Sequence, residues 1–155
     1  MFFIRKNVKY LKTAAIIAEF NPLHNGHKYL MDQARSMGAQ HIIVVLGGNF
    51  TQRGDLALFS KFIRAKTALA CGADLVAELP TPWTMSCAEL FAEGGVFIAQ
   101  SLGADTLVFG SESGDIDSLK QTNLQLNSPL LKPELRKNLD LGQTYAAARK
   151  AAFES

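Results

Sequence analysis

Short apolar runs alternate with stretches of helical spacing along most of the chain. Ala14-Ala15-Ile16-Ile17-Ala18 is apolar on both faces, as a strand covered on two sides has to be. Residues 41–46, 73–79 and 106–109 repeat that pattern and predict three further strands. Between them lie predicted helices. Residues 26–37 place Tyr29, Leu30, Ala34 and Met37 on one side, with Gly38 as the C-cap. Residues 60–71 are stopped by Gly72, and residues 85–102 run from Met85 through Ala88, Phe91 and Ile98 to end before Gly103. Weaker helical patterns follow at 115–121, 133–140 and 143–153. Strand–helix alternation of this kind predicts an α/β fold with a Rossmann-like, doubly wound parallel sheet. Such sheets bind ligands beyond the carboxyl ends of their strands. The segments in that position here, 19–27, 47–54, 80–83 and 110–112, hold nearly all the unusual polar and glycine residues.

A length of 155 residues suits one domain, taken as 13–155, behind a basic N-terminal extension at 1–12. The formal net charge of +2 gives no broad electrostatic footprint for nucleic acid, so any RNA contact has to come from local patches. Cys71 and Cys87 lack metal-ligand spacing and read as reduced, small core residues. No run reaches the length of a membrane span or a secretory signal, which leaves the cytoplasm as the expected compartment and no membrane partner.

His24 and His27 flank Gly26 at the junction of the first strand and first helix. Their spacing puts both imidazoles on one face of a helix N-terminus, where the backbone dipole favours anions. Two imidazoles there can donate to phosphate oxygens and stabilise charge that builds up in nucleotidyl transfer. Gly26 would let a base or ribose approach the backbone. The alternatives are capping histidines, or a zinc pair for which no third ligand is evident. In the loop and helix that follow, Arg53, Lys61 and Arg64 could hold a triphosphate or RNA phosphate, or Lys61 and Arg64 could form a solvated helix face. Asn49 and Gln52 could orient substrate or satisfy the loop backbone. Glu78 and Glu112 read as caps, Phe91 and Phe97 as packing residues, and Trp83 as a packing residue or a surface on which a base could stack.

The HxGH string after a buried strand resembles the nucleotidyltransferase superfamily whose signature is written HIGH. The longer string Glu19-Phe20-Asn21-Pro22-Leu23-His24-Asn25-Gly26-His27 is similar to that of the tRNA(Met) cytidine acetate ligase family, E-[YF]-N-P-F-H-N-G-H. Asn21 departs from the F-D-P-x-H-x-G-H strings of many small-molecule adenylyltransferases. Gly48-Asn49-Phe50-Thr51-Gln52-Arg53-Gly54 resembles the family's S-G-N-F-x-Q-R-G, with Gly47 in place of its serine, and Lys61, Arg64 and Ala68-Leu69 follow as in its K-x-x-R-x-x-x-A-L helix. Residues 74–80 resemble D-L-V-I-E-L-P, and residues 109–112 match F-G-S-E. The resemblance implies a HIGH-type nucleotidyltransferase sheet and ATP, with Mg2+, as cofactor. It further implies acetate and tRNA(Met) as partners: acetate is activated as acetyl-adenylate and passed to N4 of the wobble cytidine. His24 and His27 would be catalytic. Ile17, Ala18, Glu19, Phe20, Asn21, Pro22, Asn25, Leu30 and Gly110, with His24, Gly26 and His27, would bind ATP. Asn49, Gln52, Arg53, Lys61 and Arg64 would be the candidates for substrate or RNA.

A second superfamily signature, S/T-x-x-R, is expected beyond the last strand. Thr144-Tyr145-Ala146-Ala147-Ala148-Arg149 has a wider spacing and reads as a preceding helix. The expectation is therefore a fragment or short homologue that holds the nucleotide cradle. A small-molecule adenylyl- or cytidylyltransferase and a non-catalytic ATP-binding module stand as the alternatives.

Overall fold

The computed structural model describes residues 2–5 (backbone only), 12–111, 115–126, 128, 129 and 131–154; Glu112 lies outside them. The chain divides into two compact units, Met1–Gly114 and Asp115–Ser155.

The first unit is a five-stranded sheet with helices on both faces. Its elements are β1 (Phe2–Arg5), β2 (Thr13–Ala18), α1 (Asn25–Ser36), β3 (His41–Gly47), α2 (Lys61–Ala70), β4 (Leu75–Leu79), the single turn α3 (Thr81–Thr84), α4 (Ala88–Ser101) and β5 (Thr106–Phe109). The spatial order is β1-β5-β2-β3-β4. The four strands expected from the sequence are all parallel, β2 pairing with β3 and β5, and β3 with β4. Phe2–Arg5, inside the segment read as an extension, adds an antiparallel edge strand on β5.

Side-chain alternation divides the strands between two cores. Ala14, Ile16, Ile42, Val44 and Leu46 meet Met31 and Ala34 of α1 and Ala68 of α2 on one face. Ala15, Ile43 and Val45 meet Ala99, Phe91 and Ile98 of α4 on the other. The buried side of α1 is therefore Met31 and Ala34, whereas Tyr29 and Met37, expected on it, are exposed. Phe97 is 70% exposed, contrary to its expected core position, because it faces away from the sheet on a helix that is apolar nearly all round. Cys71 packs against the first core as expected, but Cys87 is exposed at the N-cap of α4. Two adjacent glycines bring α4 close to its neighbours. A Cβ at Gly95 would lie 2.7 Å from Ile17, and one at Gly94 would lie 2.9 Å from the Trp83 ring. Trp83 is thus a packing residue, seated on α4.

The second unit contains α5 (Ile116–Leu126), α6 (Leu131–Asp140) and α7 (Tyr145–Glu154), with α6 and α7 packed together. Asp115 Oδ1 accepts from the amides of Asp117 and Ser118 to begin α5. Thr144 Oγ1 accepts from Ala147 N–H at 3.4 Å, so the one partial match to the second signature begins a helix as a cap.

At the amino end of the sheet, Asp74 Oδ2 accepts from Ile42 N–H at 2.6 Å and from the Arg35 guanidinium at 2.5 Å. Arg35 also donates to the carbonyls of Ala39, Gln40 and Gly72. Burial raises the carboxyl's pKa, but the Ile42 amide, Arg35 and His41 together outweigh it and hold Asp74 below its ordinary 3.8. Because the folded value is depressed, this stabilisation is complete above pH 3.8 and is lost as pH falls toward the folded value. Asp74→Ala is expected to lower the urea-unfolding free energy at pH 7 by about 1–2 kcal/mol, a modest figure because the carboxylate is partly exposed. The gap between wild type and variant should narrow on acidification below pH 3.8; a gap that stays constant with pH would contradict the assignment.

Candidate functional site

Between β2 and α1 the backbone makes a tight reversal. Phe20 adopts φ +48°, a left-handed conformation that costs a residue with a Cβ about 1–3 kcal/mol and persists only where packing enforces it. Its side chain is 1% exposed and lies against the His27 ring at 4.7 Å, so the strain is held by burial. Asn21 follows, joined to Pro22 by a cis peptide bond, and its Oδ1 accepts from Leu58 N–H at 2.6 Å.

His24 is the N-cap of α1, with extended backbone, and its Nδ1 accepts from Gly26 N–H at 3.1 Å. His27 returns the bond: its Nδ1 accepts from His24 N–H at 3.2 Å. This is a capping box in which imidazoles replace the usual hydroxyl and carboxylate. The two rings stack, centroids 3.7 Å apart and 22° from parallel. Burial, and then the neighbouring His24, push the His27 pKa below 6.5, so this ring is neutral at pH 7. A nitrogen that accepts from an amide carries no proton, which leaves Nε2 as the nitrogen of each ring that can donate. The capping and functional readings of these histidines are therefore compatible, since each uses a different nitrogen. A Cβ at Gly26 would lie 3.0 Å from His24 Cε1, so the glycine also makes room for the capping ring.

The histidines border a cleft of about 760 Å³ at the carboxyl ends of β2 and β5. In the sheet order, chain progression reverses between these two strands, which is the place where such folds bind ligands. Ile17, Ala18, Glu19, Phe20, Asn21, Pro22, His24, Gly26, His27, Leu30 and Gly110 all line it; Asn25, of the same expected set, does not. Tyr29, Val108, Phe109 and Ser111 also line it. Tyr29 falls within the stretch from Ile17 to Leu30 expected along the site, whereas sequence reasoning did not single out Val108, Phe109 or Ser111, although the last two are the neighbours of Gly110.

The basic candidates separate. Arg64 is 2% exposed, and its guanidinium donates to the carbonyls of Phe59 at 2.9 Å, Glu19 at 2.5 Å and Gly48. It is neither a solvated helix residue nor an RNA ligand. Each of its three nitrogens donates to backbone in the loops after β2 and β3. Lys61 Nζ pairs with Glu78 at 2.6 Å, so Glu78 is an ion-pair partner and not a cap. Asn49 Oδ1 accepts from Lys61 N–H at 3.0 Å and so satisfies the start of α2. Gln52 donates its amide N–H to Glu19 Oε1, and Arg53 is exposed beside it. Among the described residues, no three His, Cys, Asp or Glu side chains cluster as a metal site would need. Arg64→Ala is expected to destabilise the fold by about 3 kcal/mol or more in urea unfolding, by orphaning three carbonyls. Arg64→Lys should recover little, since one ammonium cannot span three diverging acceptors. An Arg64→Lys variant within about 0.5 kcal/mol of wild type would refute this bracing role.

A profile of the HIGH nucleotidyl transferase family matches residues 11–155. The chain belongs to that family. Among its relatives is a tRNA(Met) cytidine acetate ligase of Pediococcus pentosaceus, 54% identical over 108 residues, 69% of this chain and 30% of the relative. One of the same name from Caldicellulosiruptor bescii is 41% identical over 146 residues, 92% of this chain and 36% of the relative. The crystal structure of Thermotoga maritima TmcAL bound with alpha-thio ATP superposes with a TM-score of 0.82 at 39% identity, over 91% of this chain and 35% of that one. The chain thus spans about a third of the length of the curated relatives it matches. In this HIGH nucleotidyl transferase the signature histidines are both the helix cap and the rim of the cleft.

Proposed function

We propose that the cleft binds ATP and that the chain carries the nucleotide-binding part of a tRNA(Met) cytidine acetate ligase. All the lining residues belong to the unit Met1–Gly114, so nucleotide binding is assigned to that unit. The observation that carries this reading is the pair of Nε2 donors at the start of α1. The Gly26 and His24 amides bond to imidazole nitrogens, so phosphate oxygens meet ring N–H groups at this cap instead of those two amides. Amide, imidazole and phosphate then form a chain of hydrogen bonds, each polarising the next, which carries the positive end of the helix dipole outward to the ligand. Ile17, Leu30 and Gly110 would flank the nucleoside. The relatives' shared name supplies the acyl donor and acceptor.

In the first step an acetate oxygen attacks the α-phosphorus, the bond to pyrophosphate breaks, and acetyl-adenylate remains. His24 and His27 stabilise the charge on the phosphate oxygens as that bond breaks. Mg2+ is expected to accompany the triphosphate, neutralising charge on its oxygens. In the second step the acetyl group passes to N4 of the cytidine. No helix among the described residues is long and apolar enough to cross a membrane, and the tRNA substrate proposed here would be met in the cytoplasm.

Calorimetry on the wild-type chain is expected to show ATP binding. His24→Asn keeps a capping acceptor but removes the ring donor, and should weaken ATP at least about tenfold with little change in thermal stability. Acetate-dependent exchange of pyrophosphate into ATP tests the activation step. Absence of ATP binding by the wild type, or wild-type affinity in both His24→Asn and His27→Ala, would remove the proposal.

A further inference from the structure

A second hollow of about 450 Å³ adjoins the nucleotide cleft, lined by Glu19, Asn21, Thr51, Gln52, Arg53 and Asp55 among others. Glu19 and Asn21 line both spaces, so the two share a wall just beyond β2. The far side is a small hairpin in which Phe50 pairs with Leu56, closed by Thr51 N–H to Asp55 O at 2.8 Å and Gly54 N–H to Thr51 O at 3.0 Å. The Gln52 amide fixes the Glu19 carboxylate by donating to Oε1.

Two features identify the kind of ligand this hollow suits. Thr51 is 9% exposed, and its Oγ1 is buried without a hydrogen-bond partner. Such a hydroxyl costs about 1–3 kcal/mol until something bonds to it, so its position favours a polar ligand atom. The charged side chains lining the space are two carboxylates, Glu19 and Asp55, and one guanidinium, Arg53. A small anion such as acetate would enter against that balance. A neutral heterocycle bearing an amine and a carbonyl suits it: carboxylates accept from the exocyclic amine, while Arg53, Thr51 and Gln52 can donate to ring nitrogen and carbonyl oxygen. The space also accommodates a nucleobase, far more than acetate fills.

We propose that this hollow receives the acceptor cytosine, presenting its amine at the shared wall, with Glu19 as the proton acceptor. The inference rests on the acyl-adenylate reading above. In the transfer step the amine nitrogen bonds to the acyl carbon, the acyl C–O bond to the adenylate breaks, AMP leaves with the electron pair, and Glu19 takes the amine proton. Glu19 is chosen over Asp55 because it alone of the two borders both spaces.

The test is amide NMR on the labelled chain with ATP present, titrated with cytidine 5′-monophosphate, uridine 5′-monophosphate and sodium acetate. The cytidine nucleotide is expected to shift the Thr51–Asp55 amides and to bind at least about fivefold tighter than the uridine nucleotide, which lacks the amine. Thr51→Val and Asp55→Asn should each weaken it severalfold. Equal binding of the two nucleotides, unchanged affinity in both variants, or acetate saturating the same amides would overturn the assignment. ATP is titrated separately into every sample. An absent nucleotide site therefore shows as a failure of the function reading, while the cytidine comparison is still read on the second hollow.

Discussion

An imidazole has two ring nitrogens, and at the start of α1 each histidine uses one of them to begin the helix at the rim of the cleft. Nδ1 of His24 and Nδ1 of His27 accept the amides of Gly26 and His24, and this reciprocal pair begins the helix. The bond on one nitrogen fixes the tautomer, and the tautomer decides that the other nitrogen is a donor. The stacked rings, the lowered His27 pKa and the close fit of Gly26 under His24 all follow from the same arrangement. A Ser or Thr cap would start the helix equally well, but its hydroxyl would lack the reach of a ring with a second donor on its far side. The helix cap and the rim of the cleft are therefore one feature here.

That feature stands on a framework fixed from outside the motif. The left-handed Phe20 is held by its buried ring, Asn21 by the Leu58 amide, and the Glu19 carbonyl by Arg64. Arg64 reaches from α2 into the loops after both β2 and β3, so those loops keep their spacing through one buried cation. On the opposite face Gly95 lets α4 close onto Ile17, at the end of the strand that leads into the cleft. A change in either place would act on the cleft without altering a residue that closes the histidine cap.

The sheet was legible in the sequence because strands buried on both faces are unbroken apolar runs, and those runs fixed where the loops had to gather. The HxGH string was legible because its spacing is local to one helical turn. Arg64 was not, because the burial of a helical cation depends on which distant loops fold over it. Phe97 was misjudged for a related reason: α4 is apolar nearly all round, so periodicity does not say which side faces the sheet. The pairing of Phe2–Arg5 with β5 is four residues long and joins segments about a hundred residues apart, beyond any local pattern. Asn49 and Lys61 bear the motif's expected identities, yet they bond to the start of α2 and to Glu78.

The division of labour between the ring nitrogens is accessible to nitrogen-15 NMR of the histidine side chains. His41, at the amino end of β3, is the internal reference. The account requires that at pH 7.5 His24 and His27 both show an unprotonated Nδ1 and a protonated Nε2, and that ATP moves their Nε2 resonances while His41 stays in place. The opposite tautomer in either ring, or imidazole signals unmoved by saturating ATP, would contradict it.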